Sequence, residues 1–529
     1  MNILNRLPVI LTLAVVGSAQ AMDHSAEANC NSLSSVALQD TVVEKSVLVE
    51  AGPMPDSEAS LPAHCLVRGT IESRVGNSGV AFGSKFELRL PVSWNGRFMF
   101  QGGSGTDGVV LPAYGERNQP KGNTPALAQG FAIVTTDGGH EDKDSSFGLD
   151  AKARTDWGYH SIDIVTQAAK MLLKAYYGRA QDYSYFVGCS NGGRQAMMMS
   201  QRFPDYFDGI VAGDPVFRLS ASHIASMWDV NTFTAIAPKN ADGKPVLSKA
   251  FSDSDLTLLS QSILQQCDAL DGLRDGLVSN PAACHFNPRP LQCKGEKNDQ
   301  CLSAAQISAM ESSIAGPSDS KGNTLYSRWA WDPALSSEGW RTWKLGTSIT
   351  EIPNAKKAGS SINAIRYVFV TPPAPELKAA AFDFDKDPQR MKASASFADA
   401  SSTDLSAFRR HGGKIIFYHG MADPAISALD TQTYYQQLSK AQGGEQATQQ
   451  FARFFQVPGM THCNGGNGLD SFDTVSAITS WVEKGHAPDQ LLATGQAMPG
   501  VSRPLCPFPS TARYSGTGDP NVAKNFSCR

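Results

Sequence analysis

The feature that most constrains the fold is the segment GCSNGG at residues 188–193, which stands between a predicted strand and a predicted helix. Residues 183–187 are mostly aromatic or β-branched, which is typical of a strand, and a helical pattern begins near Gly192. Glycines beside a serine at such a junction allow a sharp turn, which exposes the serine hydroxyl at the carboxyl edge of a sheet. The positive end of the following helix lies close by. We therefore predict that Ser190 is a nucleophile; the alternative is a glycine turn without a chemical role.

A nucleophilic serine needs two partners, a base that accepts its proton and an acid that orients the base. In folds built around such a turn, acid and base follow the serine along the chain. Asp423 lies in a turn just after a predicted strand at residues 414–418. His462 lies in a loop after a predicted strand at residues 451–457. The order along the chain therefore predicts a catalytic triad of Ser190, Asp423 and His462.

The other histidines near these segments fit the role of base less well. His140 precedes the serine, and His486 follows a helical stretch, where a solvated helix end is the simpler interpretation. His419 is close enough in sequence to Asp423 to contact it, and a structural role for it is equally open, because polar residues in turns usually bond locally. His462 remains the predicted base.

Short apolar runs alternate with amphipathic stretches between about residue 86 and residue 216, and this rhythm resumes after the middle of the chain. The predicted strands in the first part are 86–92, 97–101, 131–136 and 183–187, and the main predicted helix is 162–177. Such alternation is typical of an α/β protein with a mainly parallel central sheet and helices on both faces. Together with the serine turn, it predicts an α/β-hydrolase fold.

The middle of the chain has a different composition. Residues 217–399 are rich in turn formers and tryptophan, contain four cysteines and lack the alternation. We interpret them as a lid domain inserted into one catalytic domain, whose two parts are residues 22–216 and 400–529. A chain of 529 residues is long enough for this arrangement.

The N-terminus has the pattern of a secretory signal. Arg6 precedes an apolar run at residues 7–16, and small residues follow at Ala19 and Ala21. The run is shorter than the roughly 20 residues that span a bilayer. We therefore predict a signal peptide at residues 1–21 and a mature protein that is secreted or periplasmic, without a membrane partner; a membrane-anchored N-terminus is the alternative.

The ten cysteines all follow the predicted signal, and an even count in an exported chain suggests five disulfides. Short sequence separation favours four pairs: Cys30 with Cys65, Cys267 with Cys284, Cys293 with Cys301, and Cys506 with Cys528. Cys189 and Cys463 remain, one directly before Ser190 and the other directly after His462. A bond between them would hold serine and histidine together; free thiols or other pairings are the alternatives.

Acyl transfer also needs donors for the negative oxygen that develops on the carbonyl. The backbone N–H of Asn191, next to the nucleophile, is one predicted donor. The glycine-rich segment 102–105 follows a predicted strand, and Gly105 is the predicted second donor, with a purely structural turn as the alternative.

An acidic segment at residues 267–278 sets Asp268, Asp271 and Asp275 around two glycines. Calcium binds several oxygen ligands, and glycines let backbone carbonyls complete the shell. The spacing differs from that of an EF-hand. A calcium site and a solvated acidic turn are equally compatible with this spacing.

At these motifs the sequence resembles the tannase and feruloyl esterase family, whose signature is a Cys-Ser pair, a distant Asp and a His-Cys pair. The matching positions are Cys189-Ser190, Asp423 and His462-Cys463. The resemblance also covers segments 102–106, 137–140, 201–204 and 208–213, and it extends through nearly the whole mature chain. It implies a lid-bearing α/β-hydrolase that cleaves small aromatic-acid esters, such as hydroxycinnamoyl or galloyl esters, with a disulfide joining Cys189 to Cys463.

The resemblance also implies a structural calcium ion in the lid. The side chains of Asp268, Asp271 and Asp275 match the family's ligands, and so do the backbone carbonyls of Leu273 and Leu277. On this basis we expect Ca²⁺ as the single cofactor.

Segments 328–332, 339–343 and 371–373 are similar to the family's terephthalate-monoester hydrolases of bacteria. The similarity implies that Trp343 stacks on the aromatic acid. Lys356 lies where those enzymes carry an arginine for the free carboxylate, and lysine offers a point charge instead of a planar fork. Terephthalate monoesters and natural hydroxycinnamoyl or galloyl esters therefore both remain candidate substrates.

Other classes of function are constrained by composition. The net charge of −4 and the absence of basic runs argue against a nucleic-acid partner. An acyltransferase or a non-catalytic aryl-binding protein on the same scaffold would share the residues described above. No sequence feature indicates an oligomeric state.

Overall fold

The centre of the molecule is a nine-stranded sheet in the order β1-β4-β5-β7-β6-β8-β9-β10-β11, counted over the described residues. The computed structural model describes residues 25–55, 57–115, 124–142 and 144–529, so the predicted signal at residues 1–21 lies outside it. The strands of the protein are β1 (Thr41–Val49), β2 (Gly52–Pro53), β3 (Ser60–Leu61), β4 (His64–Val75), β5 (Ala81–Pro91), β6 (Arg97–Gln101), β7 (Ala132–Thr136), β8 (Tyr183–Cys189), β9 (Gly209–Gly213), β10 (Lys414–Gly420), β11 (Ala452–Val457), β12 (Leu491–Ala493), β13 (Arg503–Leu505), β14 (Ala512–Tyr514) and β15 (Phe526–Cys528).

Five of the eight neighbouring strand pairs in this sheet are parallel, and they form the half from β7 to β11. The remaining pairs, among β1, β4, β5 and β7, are antiparallel. The predicted mainly parallel sheet is confirmed. Strands β1 and β4 lie before the first predicted strand, and β4 begins with four buried residues in succession, so it lacks the alternation that reveals a half-buried strand.

Helices cover both faces of the parallel half. The α-helices of the described residues are α1 (residues 25–32), α2 (Ala151–Thr155), α3 (Ser161–Tyr177), α4 (Asn191–Arg202), α5 (Leu219–Ile236), α6 (Asp253–Cys267), α7 (Ala304–Ala315), α8 (Glu338–Lys344), α9 (Lys356–Ala364), α10 (Asp387–Arg390), α11 (Lys392–Ala398), α12 (Ser406–His411), α13 (Ala428–Ala441), α14 (Glu445–Gln449) and α15 (Thr474–Lys484). None of the described helices is long and apolar enough to cross a membrane.

Successive residues of each central strand point to opposite faces, so each strand feeds two cores. On β6, Phe98 and Phe100 join the core made with α3, α4 and α13, whereas Met99 joins the core made with α15. Because both faces are covered, β7 and β9 are buried at every position. This packing leaves the carboxyl ends of the parallel strands free to carry loops.

Residues 214–413, all of which are described, connect β9 to β10 and contribute no strand to the sheet. They contain α5 to α12, and many of their apolar side chains form a separate core between residues 230 and 358. Capping boxes begin α6 at Ser252 and α7 at Ser303, where serine hydroxyls accept the orphaned N–H groups of the first turn. The sequence itself therefore marks where these two helices of the insertion begin.

Five disulfides join the ten cysteines. The four pairs favoured by short sequence separation are present, and Cys189 is bonded to Cys463 across 274 residues. The even cysteine count thus indicated the number of bonds.

Candidate active site

Ser190 stands at the turn between β8 and α4 in a strained backbone conformation, with φ of 64° and ψ of −123°. Non-glycine residues rarely adopt this region, and strain of this kind is concentrated at functional sites. The turn is also crowded. A Cβ added to Gly192 would lie 2.8 Å from the Gly103 oxygen, and one added to Gly188 would lie 2.7 Å from the carbonyl carbon of Gly192. Close approach of backbones therefore requires glycine at both positions.

Three side chains predicted to act together form one line of hydrogen bonds. His462 Nε2 lies 2.8 Å from Ser190 Oγ, and His462 Nδ1 lies 2.8 Å from Asp423 Oδ2. Burial opposes ionisation of both Asp423 and His462, yet their mutual attraction prevails. The pKa of Asp423 falls well below its usual range, and the pKa of His462 rises above its usual value. An imidazole so placed can accept the serine proton.

His419 is completely buried and contacts the acid of this line. Its Nε2 lies 3.1 Å from Asp423 Oδ2, and its Nδ1 lies 2.8 Å from the hydroxyl of Thr431. The second oxygen of Asp423 accepts hydrogen bonds from the backbone N–H groups of Ala425 and Ile426, at 2.7 and 3.1 Å. The carboxylate is thereby oriented from both sides.

A second buried carboxylate, Asp214, lies beside the histidine and is absent from the sequence prediction. It directly follows β9, and its Oδ2 is 3.7 Å from His462 Nδ1. It accepts hydrogen bonds from the N–H groups of Gly420, at 3.1 Å, and Cys463, at 2.5 Å. Burial raises the pKa of Asp214 to about 6. Its position at the carboxyl end of a parallel strand is the signal that could have identified it.

Asp107 ties the glycine-rich loop to the first turn of α4. Gln195 accepts a hydrogen bond from Gly103 N–H at 2.8 Å and donates one to Asp107 Oδ2 at 2.8 Å. The side-chain amide of Asn191 donates to the other oxygen of Asp107. Gly105, with φ of 55°, lines the same cavity as Ser190 and Asn191. Both predicted oxyanion donors thus belong to segments that are braced against each other.

A cavity of about 210 Å³ opens at the serine. Its lining includes Trp157 and Trp343 as well as Gly105, Thr106, Ser190, Asn191, Val216, Leu219, Ser222, His223, Ser226, Lys357, Ser360, Ser361, Ala425, Ile426 and His462. The Trp343 ring meets the His462 ring edge-on, with centroids 5.0 Å apart. The insertion therefore supplies much of the cavity wall.

Lys356, the predicted substrate-binding lysine, is exposed and does not line this cavity. Its ammonium lies 5.0 Å from the centroid of the Trp343 ring. Lys357 lines the cavity instead and is 2 % exposed, with its ammonium 3.5 Å from Asp229. Asp229 is bound more closely by Lys344, at 2.5 Å. Burial and the neighbouring Lys344 ammonium lower the pKa of Lys357 to about 7.

The acidic loop after α6 contributes no residue to the lining of this cavity. Backbone N–H groups of the loop donate hydrogen bonds to its carboxylates. Asp268 accepts hydrogen bonds from the N–H groups of Asp275 and Gly276, at 3.1 and 3.2 Å. Asp275 also forms an ion pair with Arg503 at 2.6 Å. Burial and the charge of Asp275 raise the pKa of Asp271 to about 6. Within the described chain, the three carboxylates are not among the groups whose ligand atoms all approach within 4.8 Å.

Comparison with known proteins identifies the family. A family model described as tannase and feruloyl esterase matches residues 65–529. The chain belongs to the tannase and feruloyl esterase family. It is therefore a carboxylic ester hydrolase by family, and the resemblance seen at the cysteine-flanked motifs is confirmed.

Relatives within the tannase and feruloyl esterase family align over most of the chain. A mono(2-hydroxyethyl) terephthalate hydrolase of Piscinibacter sakaiensis is 44% identical over 92% of this chain and 88% of its own. Feruloyl esterase B of Aspergillus niger is 26% identical over 98% of this chain and 99% of its own. The crystal structure of feruloyl esterase B from Aspergillus oryzae superposes with a TM-score of 0.80, at 25% identity, over 95% of this chain and 100% of that one. These matches confirm the α/β-hydrolase fold.

Proposed function

We propose that this protein hydrolyses esters of aromatic acids by a two-step acyl transfer at Ser190. The observation that carries the proposal is the hydrogen-bonded line from Asp423 through His462 to Ser190, which opens on a cavity lined by two tryptophans. A serine hydroxyl within hydrogen-bond reach of a histidine that a carboxylate orients is what nucleophilic catalysis requires.

In the first step, Ser190 Oγ attacks the ester carbonyl carbon while its proton passes to His462 Nε2. The N–H groups of Gly105 and Asn191 donate hydrogen bonds to the oxyanion. The proton then passes from His462 to the alcohol oxygen as the ester C–O bond breaks. Asp423 stabilises the imidazolium throughout, and the acyl group remains on Ser190.

In the second step, a water molecule gives a proton to His462 and attacks the acyl carbon. The new tetrahedral intermediate collapses, the proton returns to Ser190 Oγ, and the aromatic acid leaves. An alcohol in place of water would make the reaction an acyl transfer. Hydrolysis is preferred here because the three similar proteins named above are a hydrolase and two esterases.

The acyl group is proposed to be a single-ring aromatic acid, with hydroxycinnamoyl and galloyl esters as the main candidates. The Trp343 ring next to His462 and the cavity volume of about 210 Å³ suit a flat aromatic ring. Monoesters of terephthalate are a second candidate, favoured by the buried Lys357 ammonium in the cavity wall, which would pair with a free carboxylate.

A panel of three esters tests this proposal: methyl ferulate, methyl gallate and mono(2-hydroxyethyl) terephthalate. We expect kcat/KM for at least one of them to exceed that for methyl acetate by about 10²-fold or more, because only the aromatic esters fill the cavity. Equal rates on all four esters would contradict an aromatic acyl site. Added ethanol separates the classes, since an acyltransferase would yield mainly ethyl esters.

We also propose that residues 1–21 are a secretory signal and that the mature protein acts outside the cytoplasm. Five disulfides support this proposal, because such bonds persist in oxidising compartments. Residues 217–399 are proposed to be the lid that determines the acyl group, since Trp343, Lys357 and His223 all come from this range.

We propose that the loop after α6 holds a structural calcium ion through the side chains of Asp268, Asp271 and Asp275 and the carbonyls of Leu273 and Leu277. The donor chemistry fits, since hard oxygen ligands suit Ca²⁺. Burial and repulsion between the Asp271 and Asp275 carboxylates raise the pKa of Asp271, and a bound cation would relieve this repulsion. Within the described residues, Arg503 pairs with Asp275 and leaves Asp271 without a cation. The ion would brace the loop and take no part in the chemistry.

Removing calcium from the wild-type protein is expected to lower its melting temperature. At free calcium about a hundredfold above Kd, the ion contributes about 3 kcal/mol of stability. Asp271→Asn should abolish the calcium dependence of melting, whereas Asp242→Asn, at an exposed lid position, should retain it. Metal analysis that finds no calcium, together with melting unchanged by chelation, would refute the site.

A further inference from the structure

His223 lies on α5 in the wall of the catalytic cavity, and its ring has no polar partner within the described residues. Its Nδ1 is buried, with no described donor or acceptor in reach. The ring is tilted against Phe369, with centroids 4.8 Å apart, so its orientation is constrained. Buried polar atoms are almost always satisfied in native proteins. An unsatisfied ring nitrogen beside Ser190 therefore points to a ligand that supplies the missing hydrogen bond.

Several other polar side chains of the same wall already have partners. Ser222 and Ser226 donate to backbone carbonyls of α5, at 2.8 and 3.0 Å. Ser360 donates to a carbonyl of α9 in the same manner. Lys357 contacts Asp229. The Trp157 indole N–H in this wall is also buried without a described partner, but it can only donate, whereas the neutral His223 ring can both donate and accept a hydrogen bond.

The charge of His223 narrows the chemistry of that molecule. Burial, reinforced by the nearby Lys357 ammonium, lowers the pKa of His223 to about 3. The imidazole is therefore neutral near pH 7, with one donor and one acceptor. A hydroxyl group is its complement, because it also offers both a donor and an acceptor. A carboxylate would use only the donor and is better matched by the Lys357 ammonium.

We propose that His223 recognises a hydroxyl group on the aromatic ring of the acyl moiety and so makes the enzyme selective for hydroxylated aromatic acids. The proposal rests on the aromatic-ester activity proposed above. It assigns His223 to substrate selection and leaves proton transfer to His462. Binding of the ring hydroxyl holds the acyl group in the cavity that Ser190 also lines.

Two esters that differ by one hydroxyl test this role: methyl 4-hydroxycinnamate and methyl cinnamate. For the wild-type protein we expect kcat/KM to be higher on the hydroxylated ester. His223→Leu, which removes the polar atoms at similar volume, should lower kcat/KM for methyl 4-hydroxycinnamate by about three- to tenfold, the range of one neutral hydrogen bond. It should leave turnover of methyl cinnamate within about twofold, which also shows that the variant is folded.

Ser226→Ala is the matched control on the same helix, because its hydroxyl is already bonded to a backbone carbonyl. This variant should shift both esters by the same factor. Equal loss on both esters in His223→Leu, or loss on neither, would overturn the proposal. If the wild type hydrolyses neither ester, the proposed function fails; calorimetric binding of the two free acids then decides the role of His223, with preference for 4-hydroxycinnamic acid lost in His223→Leu supporting it.

Discussion

Ser190→Ala is expected to lower kcat/KM for aromatic ester hydrolysis by about 10⁵-fold, because removal of a triad member disables the unit as a whole. The side chains of Asp423 and His462 remain in place in this variant, but no hydroxyl is left 2.8 Å from His462 Nε2. Initial rates on the best ester of the panel measure the loss. Circular dichroism and melting temperature should match those of the wild type, since within the described residues the serine hydroxyl makes no other hydrogen bond with the fold.

A pair of histidine variants provides the control for this prediction. His462→Ala should lose activity to a similar extent, whereas His486→Ala, at an exposed position after α15, should retain wild-type rates. A fluorophosphonate should label the wild type and leave Ser190→Ala unlabelled. Substantial turnover in Ser190→Ala, or loss of activity in His486→Ala, would contradict the proposed mechanism.

Removal of the bond between Cys189 and Cys463 is expected to impair both stability and catalysis. The bond closes a loop of 274 residues. Chain-entropy reasoning assigns such a bond a stabilisation of roughly 5 kcal/mol, and roughly half of that to a bond that closes an eight-residue loop. The double variant Cys189→Ala/Cys463→Ala should therefore melt well below the wild type. Since the bond joins the residues adjacent to Ser190 and His462, we also expect kcat to fall by about 10²-fold, the effect of displacing reacting groups by about 1 Å.

Cys293→Ala/Cys301→Ala is the matched control, because that pair closes a loop of eight residues in the insertion. It should lower the melting temperature less and leave kcat near the wild-type value. Equal effects of the two double variants on kcat would show that the long-range bond plays no part in holding serine and histidine together.

The α/β-hydrolase fold and the three residues of the proposed triad could be predicted from sequence because their signals are local. A serine between glycines at a strand-to-helix junction, an acid after one strand and a histidine after another each carry their own signature. The flanking cysteines added a long-range contact that sequence rarely reveals. Asp214 also follows a strand, but its position beside His462 depends on two strand ends meeting at one edge of the sheet.

The choice between two adjacent lysines shows where sequence reasoning ends. Lys356 and Lys357 are chemically identical, and both follow the same turn into α9. One residue advances a helix by about 100°, so only one of the two can face the cavity. Packing of α9 against α5 directs Lys357 inward, to Asp229, and leaves Lys356 in solvent.

The sequence by itself determined the fold class, the family and the serine, acid and histidine, because each depends on residue types at fixed positions relative to a strand end. Only the tertiary structure decided what surrounds them. The contact between His419 and Asp423 and the nearness of Asp214 to His462 depend on strand ends that meet at one edge of the sheet. The unsatisfied ring of His223 depends on how α5 of the insertion packs around the cavity. Side chains far apart in sequence meet there through burial and shape, which carry no local signature.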